Sequence, residues 1–545
     1  MHILRRPRFS ESDTLLRFSL LAVIAAYAQT IRFGFVYDDF GLITLNPWLQ
    51  SWSGLKLIFT QHSSAYLDIY MPARHYRPIY LAWLWMVQNV LGPAPGWFHL
   101  AAVLTHVTAV LLAYQLAKVL LQDETGAAIA ALFFAVHPCK VESVAWISGA
   151  SEAVQAVLVF ATLLAYVRAR TVFGPRWPWL VLSASCFAAA LLTKETSLVV
   201  PFIVIAYEVW IAGNQEARAA RRFLPVAVFV AVVAAYIVLR TAVLHGAGDT
   251  AIPRSFARVL FTAPLAFWLF VRQIVFPYRL SAFYPLLDIT HFSMAYVFLP
   301  AAALLIAAVL YWRWSRHSPV LKFAAAWFAL TLLPIVGEFS WIQLHDRHLY
   351  LPSFGIALMV AVGLRRLAAW AGWPEHAPAI AAVILAVVAA VISARETRVW
   401  DNELSVFERA YSVAPGNPDA VTTLADAYAA AGSPDKAAAT LQAAVQRYPK
   451  SVLLNSALAR QFYSRGEYES ARPYLMRVVS MGADNNIRST ALYELGMIEW
   501  KDGNRELAQQ HVREAIRLAP HIDGYHRVLA TMQRASAVKA DRTNH

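Results

Sequence analysis

Cysteine and charge are both scarce in this chain of 545 residues. Two cysteines, Cys139 and Cys186, are too few for a disulfide framework or a thiolate metal cluster. Only 15% of the residues are charged and 59% are hydrophobic, whereas a soluble domain carries about 25% charged residues. These proportions exclude an ordinary soluble domain and indicate an all-α, polytopic helical membrane protein.

The net charge of +13 does not indicate nucleic acid, because of where the positive residues lie. After residue 394 positive and negative side chains nearly balance, so most of the excess falls among the apolar segments. Positive residues between apolar segments set the orientation of spans in a membrane. We therefore expect membrane lipids, and no nucleic acid, among the partners of this chain.

Eleven apolar segments predict about eleven membrane spans. Two further segments, 78–91 and 258–277, are ambiguous, and counting both as crossings would put two arginine clusters on the wrong side. We expect 78–91 to lie along the membrane or dip into it, and 258–277 to be re-entrant or a tight hairpin, with the crossing of each left open. The predicted spans are 15–33, 97–121, 126–137, 152–168, 177–193, 196–212, 222–244, 293–312, 320–336, 349–370 and 376–394.

The N-terminal run has two interpretations. Arginines precede an apolar stretch, and Ala26-Tyr27-Ala28 fits a cleavage site, so a signal peptide is the alternative. Because the apolar run continues past that site, we expect a retained first span with its N-terminus in the cytoplasm. With an odd number of spans, the C-terminal region then lies outside the cytoplasm.

The region after residue 394 carries an internal repeat. Gly432, Gly466 and Gly503 recur at spacings of 34 and 37, and Ala437 and Ala471 keep the 34-residue spacing. A 34-residue period with glycine and alanine at these offsets is a tetratricopeptide signature. We predict a membrane module over 1–394, a superhelix of about three and a half repeats over 395–535, and a disordered tail over 536–545.

Polar residues of several loops fall on the outer face of this topology, where a packing scaffold would not need them. Asp38 and Asp39 directly follow the first span. The others are His75, Arg77, His137, Lys140, Glu142, Lys194, Glu195, Arg347, His348 and Tyr350.

These residue types suit the transfer of a sugar from a lipid-phosphate donor. Asp38 or Asp39 would take the acceptor's proton, since adjacent like charges raise one pKa. Arg77, Lys140, Arg347 and Tyr350 would hold the donor phosphate. The alternatives are a solvated helix end for the acids, interfacial anchoring for the arginines and Tyr350, and a local ion pair for Lys194 and Glu195.

No metal site is predicted, because His137 and Glu142 lack a second histidine at helical spacing and a thiolate cluster. No cofactor is expected with certainty. A divalent ion held by the acids together with the donor phosphate stays open.

The chain resembles the transmembrane-and-tetratricopeptide O-mannosyltransferases and their bacterial relatives. These belong to the GT-C superfamily of polyprenyl-phosphate-sugar glycosyltransferases. The resemblance rests on Phe35-Val-Tyr-Asp-Asp39, His75-Tyr-Arg-Pro78, His137-Pro-Cys-Lys-Val-Glu-Ser-Val144, Lys194-Glu195, Arg347-His-Leu-Tyr-Leu-Pro-Ser353 and the repeats, in the family's order.

The resemblance implies Asp38 as the catalytic residue with Asp39 supporting it, and an inverting transfer from a polyprenyl-phosphate-linked sugar. It implies a second acid at Glu142, or at Glu152. It also implies His75, His137, Lys194, Glu195 and His348 as supporting residues, and amphipathic helices in the first outer loop. Relatives usually carry other residues after the His-Pro pair, where this chain has Cys139 and Lys140. The sugar and the acceptor are therefore left open.

Two other functions compete with the glycosyltransferase. One is a non-catalytic, membrane-anchored repeat scaffold of a cell-envelope assembly, and the other is a flippase, disfavoured because few charges lie within spans. The repeat groove would hold an acceptor or a partner protein. We expect a bacterial inner membrane with the repeats in the periplasm, the alternative being an endoplasmic-reticulum membrane with the repeats in the lumen.

Overall fold

The computed structural model describes residues 10–63, 65–66, 75–213, 219–244, 256–286, 289, 291–337 and 344–543, and this part of the chain holds helices but no strand. The chain divides into two compact units. Unit 1 runs to Ser405 without Phe283–Pro285, and unit 2 runs from Val406 and includes Phe283–Pro285. The sequence prediction had placed this boundary after residue 394.

Unit 1 is a bundle of apolar helices. Its α-helices are α1 (Glu11–Tyr27), α2 (Trp52–Thr60), α3 (Pro78–Val90), α4 (Pro95–Leu121), α5 (Glu124–Val136), α6 (Val141–Ala145), α7 (Ser151–Thr171), α8 (Trp177–Thr193), α9 (Val200–Trp210), α10 (Ala219–Val243), α11 (Phe256–Val275), α12 (Leu299–Ser315), α13 (Pro319–Gly337), α14 (Ser353–Ala371) and α15 (Ala377–Thr397). Short 3-10 or π turns join several of them.

Eight helices of the described part are long and apolar enough to cross a membrane, or nine if the bent pair α5–α6 forms one span. The pair breaks between Val136 and Pro138 with a bend of 56°. Helices α8 and α13 are apolar but shorter. These findings confirm an all-helical, multi-pass membrane module. The predicted number of about eleven spans agrees only approximately with the eight or nine counted in the described part.

The helices run between two ends of unit 1. The first, here called the polar end, carries Asp38, Arg77, Glu142, Glu195 and Arg347. The second, here called the basic end, carries the C-terminal parts of α7, α12 and α14 and the residue after α12, with Arg168, Arg170, Arg313, Arg316, Arg365 and Arg366. Ion pairs or hydrogen bonds join several elements there, including Arg365 with Asp123 and Arg366 with the carbonyl of Trp314.

The segment between α1 and α4 starts and finishes at the polar end. Helix α4 begins where α1 ends, and a methyl group on Gly96 would lie only 2.6 Å from the carbonyl oxygen of Ile31, so glycine permits this close approach. Helix α3 starts beside Glu195, and its Asn89 donates to the carbonyl of Leu49. Helix α3 thus begins at the polar end, and the course of 78–91 relative to the membrane stays a prediction.

Residues 258–277 are not a hairpin, because helix α11 continues through Pro264 to Val275 without a break. Its last turn lies at the polar end, where the Ile274 carbonyl accepts a hydrogen bond from His137. Helix α10 carries Tyr236 towards Arg77 and Glu195, so it ends at the polar end. Helix α12 starts there too, since its last turn is at the basic end.

Unit 2 is a helical repeat array, as predicted. Its helices are α16 (Glu403–Val413), whose first residues still belong to unit 1, α17 (Pro418–Ala430), α18 (Pro434–Arg447), α19 (Val452–Ser464), α20 (Tyr468–Ser480), α21 (Asn485–Lys501), α22 (Arg505–Leu518) and α23 (Asp523–Thr543). Helix α23 runs to Thr543 and so overlaps the stretch 536–545, which is predicted to be a disordered tail.

The repeated glycines lie in the turn between the two helices of each pair. Gly432, Gly466 and Gly503 adopt φ values of 74°, 75° and 88° between the two helices of a pair, a conformation that glycine takes without steric cost. Ala437 and Ala471 are wholly buried, which lets the paired helices approach. Helix α16 supplies the half repeat, since its Phe407 and Ala410 are buried.

Candidate active site

A tight loop at the end of the first span separates the two aspartates. Tyr37 adopts a left-handed conformation with φ of 55°, which is uncommon for a residue other than glycine. Trp146 donates its indole N–H to the Val36 carbonyl over 3.3 Å, and Glu403 accepts the backbone N–H of Tyr37 over 3.2 Å. These contacts hold the loop in a strained shape, and Asp39 is buried while Asp38 is exposed.

Asp39 is fully buried, and its carboxylate is hydrogen-bonded to the protein. One carboxylate oxygen accepts the backbone N–H of Ser148 over 2.8 Å and the Ser148 hydroxyl, and the other accepts the N–H of Val36 over 3.2 Å. Burial raises the pKa of Asp39 to about 7, although these hydrogen bonds oppose the shift. The two hydrogen bonds from Ser148 tie the loop to the residues that follow α6, and the third, from Val36, closes the loop on itself.

Asp38 differs, because its carboxylate has no hydrogen bond within the described part of the chain. Its surface is exposed although protein atoms surround its carboxyl, as for a side chain on the wall of a recess. Burial raises the pKa of Asp38 above its usual value, and the charges of Arg347 and His75 partly offset that rise. We call the neighbourhood of Asp38, Arg347 and His75 the recess, since the two basic side chains lie close enough for their charges to act on Asp38.

Arg347 is fixed beside the recess by Glu142. The Glu142 carboxylate pairs with the Arg347 guanidinium and accepts its backbone N–H over 2.9 Å, and the guanidinium lies 5.2 Å from the ring centre of Trp146. Glu142 is 2% exposed, whereas the Arg347 side chain keeps 22% of its surface open. The cation therefore has one face bound to protein and another available to a ligand.

Arg77 and Lys194 add two more cations, each with its own acid. Arg77 donates two hydrogen bonds to Glu195, of 3.1 and 2.7 Å, and Lys194 pairs with Glu152. Burial would raise the pKa of Glu195, but the Arg77 charge and hydrogen bonds outweigh it and hold that pKa well below the usual range. Lys194 and Glu195 are thus not a local pair with each other.

Two histidines flank Arg347 on the same loop. His345 and His348 meet edge to face with ring centres 5.3 Å apart, and the Nδ1 of His345 lies 3.6 Å from Glu142. Burial first, and then the neighbouring charges of Arg347 and Lys194, hold the pKa of His348 well below its ordinary value. Both rings are therefore neutral near pH 7. His75, beside Glu195, is 44% exposed.

Three predicted site residues do not face the recess. Lys140 is wholly buried between the rings of Phe134 and Tyr350, and its ammonium donates to the Tyr350 carbonyl over 2.5 Å and to Ser353. The Tyr350 hydroxyl is buried against His106 over 2.6 Å. His137 binds the Ile274 carbonyl and accepts the N–H of Cys139. The interpretation of Lys140 and Tyr350 as phosphate ligands is corrected, because protein groups already satisfy them.

The sequence did not single out several residues that build this site. Ser148 binds Asp39, Trp146 holds the Val36 carbonyl, and Trp400 stacks on Trp146 with ring centres 5.5 Å apart. Glu403 accepts the backbone N–H of Tyr37 and is the fourth such residue. Their sequence signals are weak, since each lies over 100 residues from the aspartates. His106 carried a better signal, a polar residue inside the apolar helix α4.

No group of three or more His, Cys, Asp or Glu side chains in the described ranges could hold a metal ion. A divalent ion bridged by donor phosphate stays a prediction. The site as seen offers one open carboxylate and three cations that are each paired with an acid.

Fold and site together define a multi-pass helical membrane protein with a tetratricopeptide array and an acid–cation site at one end of its bundle. Residues 76–240 match the family model described as dolichyl-phosphate-mannose-protein mannosyltransferase. Residues 404–461 and 456–522 match two tetratricopeptide models. These matches confirm the resemblance inferred from the sequence motifs.

The chain is similar to protein O-mannosyl-transferase TMTC3 of Homo sapiens, with 29% identity over 35% of this chain and 21% of that protein. It is also similar to protein O-mannosyl-transferase Tmtc2 of Drosophila melanogaster, with 31% identity over 37% of this chain and 22% of that protein. The match thus spans about a fifth of the length of these relatives.

Two solved structures show a distant likeness. ArnT from Cupriavidus metallidurans, bound to undecaprenyl phosphate, gives a TM-score of 0.40 at 15% identity over 86% of this chain and 75% of that one. The Archaeoglobus fulgidus oligosaccharyltransferase in its apo form gives 0.39 at 13% identity over 75% of this chain and 57% of that one.

Proposed function

We propose that this chain is an integral-membrane glycosyltransferase that moves a sugar from a polyprenyl-phosphate-linked donor to a protein or glycan acceptor outside the cytoplasm. The observation that carries the proposal is the division of the two aspartates. The Asp39 carboxylate is occupied by hydrogen bonds to the protein. The Asp38 side chain is exposed and lies beside Arg347, which is paired with Glu142 but keeps part of its surface accessible.

The reaction is a single displacement at the anomeric carbon. Asp38 accepts the proton of the acceptor hydroxyl as its oxygen forms the new bond to that carbon. The bond between the anomeric carbon and the phosphate oxygen breaks, and its electron pair leaves with the polyprenyl phosphate. Attack opposite the leaving group inverts the anomeric configuration. A raised pKa strengthens Asp38 as a base, as long as it is ionised at the working pH.

Arg347, Arg77 and Lys194 stabilise the leaving phosphate. Each cation is held by a buried or half-buried acid, so its position is set before the donor arrives. Arginine suits this task because its guanidinium binds two phosphate oxygens at once. Glu142, Glu195 and Glu152 act as positioning residues for these three cations, and His75 and His348 complete the polar surroundings.

The donor class follows from the match of residues 76–240 and from the apolar flanks of the bundle, against which a polyprenyl chain can remain in the bilayer. The identity of the sugar is left open. The array offers a groove for an acceptor polypeptide or a partner protein. The similarity to transferases does not favour a scaffold without catalysis.

Basic residues gather at the end of the bundle opposite the site, which supports a non-cytoplasmic polar end. We place it in the periplasm of a bacterial inner membrane, the alternative being the lumen of the endoplasmic reticulum.

The test is a transfer assay with the full chain in liposomes. Polyprenyl phosphates carrying radiolabelled mannose, glucose or N-acetylglucosamine are offered together with a periplasmic protein extract. We expect one donor to label acceptor and to release polyprenyl phosphate. A lack of label with every donor, in vesicles where the protein is inserted and folded, would favour the scaffold.

A further inference from the structure

Helix α11 presents one polar side chain to the interior of unit 1 without giving it a partner. Gln273 is 2% exposed, and neither its amide nitrogen nor its amide oxygen has a hydrogen-bond partner in the described part of the chain. A buried amide left without partners is destabilising, because it has given up its hydrogen bonds to water and gained none in return. Such a group in a native protein calls for an explanation, and a missing ligand is one.

The position of Gln273 ties it to the site. Its neighbour Ile274 binds His137 at the polar end, and Phe270, one turn earlier, meets the ring of His348 with centres 6.4 Å apart. Residues three and four apart share a helix face, so Gln273 lies on the face of α11 that turns to this loop. The Nδ1 atoms of His345 and His348 are also buried without a hydrogen-bond partner among the described residues.

The same neighbourhood carries the three cations. The imidazole of His348 interacts with the charges of Arg347, Lys194 and Arg77, so the unpartnered polar atoms lie near the groups that would bind phosphate. The other side of α11 is different, since Trp268 and Val275 are exposed apolar residues. Helix α11 therefore separates a lipid-facing surface from a polar interior.

We propose that Gln273 binds hydroxyl groups of the donor's sugar and so takes part in choosing that sugar. The inference rests on the proposed function and adds a subsite to it. An amide has two donors and two acceptor lone pairs, which neighbouring sugar hydroxyls can satisfy because each both donates and accepts. A phosphate can accept from the amide nitrogen but leaves the amide oxygen of Gln273 unsatisfied, and an acyl chain satisfies neither atom.

The substitution that tests this subsite is Gln273→Leu. Leucine has a similar size and carries no polar atom, so it removes the unsatisfied groups without opening a large cavity. Thr262→Val is the matched control, because Thr262 is a buried polar residue on the same helix that satisfies itself by donating to the Arg258 carbonyl over 2.8 Å. Both proteins are studied as full chains in detergent or nanodiscs.

The measurement is the dissociation constant for two kinds of probe. One is polyprenyl phosphate, and the other is the same lipid carrying mannose, glucose or N-acetylglucosamine, with the tightest of these for the wild type used for comparison. We expect Gln273→Leu to weaken the sugar-linked probe about 10-fold or more and to leave bare polyprenyl phosphate within about 2-fold. Its thermal midpoint is unchanged or higher, and Thr262→Val keeps the wild-type preference.

Three results decide against the subsite. Equal binding of the sugar-linked probe by Gln273→Leu and wild type means that Gln273 holds a structural water. Equal weakening of both probes means that it acts on the phosphate or on packing. A wild type that binds no sugar-linked probe more tightly than bare lipid removes the sugar subsite, and transfer in the liposome assay then shows whether the proposed function fails with it.

Discussion

The carboxylate of Glu403 accepts a hydrogen bond from the backbone N–H of Tyr37 across 366 positions of sequence. Tyr37 has a left-handed backbone, and it directly precedes Asp38. Nearby, Trp400 stacks on Trp146, which holds the Val36 carbonyl. The last residues of unit 1 thus restrain the loop that aims the proposed base.

The first prediction concerns this restraint. Glu403→Ala removes the acceptor for Tyr37, so the Asp38 loop relaxes and kcat falls by about 10-fold, since a hydrogen bond to a charged group is worth roughly 1.5–3 kcal/mol. The KM for donor changes little, because the cations are untouched. Glu403→Gln retains an amide oxygen and restores part of the rate. Steady-state transfer kinetics measure the split.

Glu408→Ala is the control on the same helix, because Glu408 binds Tyr428 within unit 2. If this variant lost as much kcat as Glu403→Ala, the effect would belong to helix α16 in general rather than to the Tyr37 contact.

The second prediction concerns the buried aspartate. The pKa of Asp39 is about 7 when folded and near its ordinary value when unfolded, so the folded state binds the extra proton between these values. Its contribution to stability is fully present below about pH 4 and is lost as pH rises through 7. Asp39→Asn should remove this slope. Thermal midpoints of both proteins from pH 4.5 to 8 test it, and identical slopes would contradict it.

The third prediction concerns the pH profile. Arg347 lowers the pKa of Asp38, so its removal lets that pKa rise, and a base must be ionised to act. Arg347→Gln therefore moves the acidic limb of kcat/KM to higher pH, in addition to reducing the rate. Arg77→Gln also reduces the rate but moves the limb less, because the charges that lower the pKa of Asp38 are those of Arg347 and His75. Equal shifts in the two variants would count against the Arg347–Asp38 interaction.

The fourth prediction follows from the buried lysine. Lys140 joins the turn after α5 to the start of α14 and does not reach the recess. Lys140→Met should alter the thermal midpoint while the affinity for polyprenyl phosphate stays within about 2-fold of wild type. Arg347→Met should weaken the binding of polyprenyl phosphate and change the thermal midpoint less. A large loss of phosphate affinity in Lys140→Met would restore Lys140 as a ligand.

The sequence was a good guide wherever a signal is local. The spacing of Gly432, Gly466 and Gly503 predicted the repeat turns because glycine alone fits their positive φ without strain. The arginines of α12 and α14 were expected on one side, and Arg366 does donate to the carbonyl of Trp314, the neighbour of Arg313. The motif after the first span led to Asp38 by resemblance.

Long-range contacts explain what sequence reasoning missed. Lys140 looked like an open loop cation, but its partners Tyr350 and Ser353 lie 210 and 213 positions away. The same distance hides the Glu142–Arg347 pair. The hairpin considered for 258–277 rested on the distribution of arginines, yet α11 is one continuous helix through Pro264. Which loop side chains turn inward depends on packing that no periodicity encodes.

The most direct test of the account compares Asp38→Asn with Asp346→Asn, a change at a buried aspartate of the Arg347 loop that binds the Ser281 N–H. Labelled sugar transfer and donor affinity are measured for both in liposomes. The account predicts that Asp38→Asn lowers transfer at least about 1,000-fold, the upper part of the range for loss of a general base, while it still binds donor and folds. Asp346→Asn should retain transfer in proportion to its folded fraction. Wild-type transfer by Asp38→Asn would contradict the assignment of Asp38 as the base.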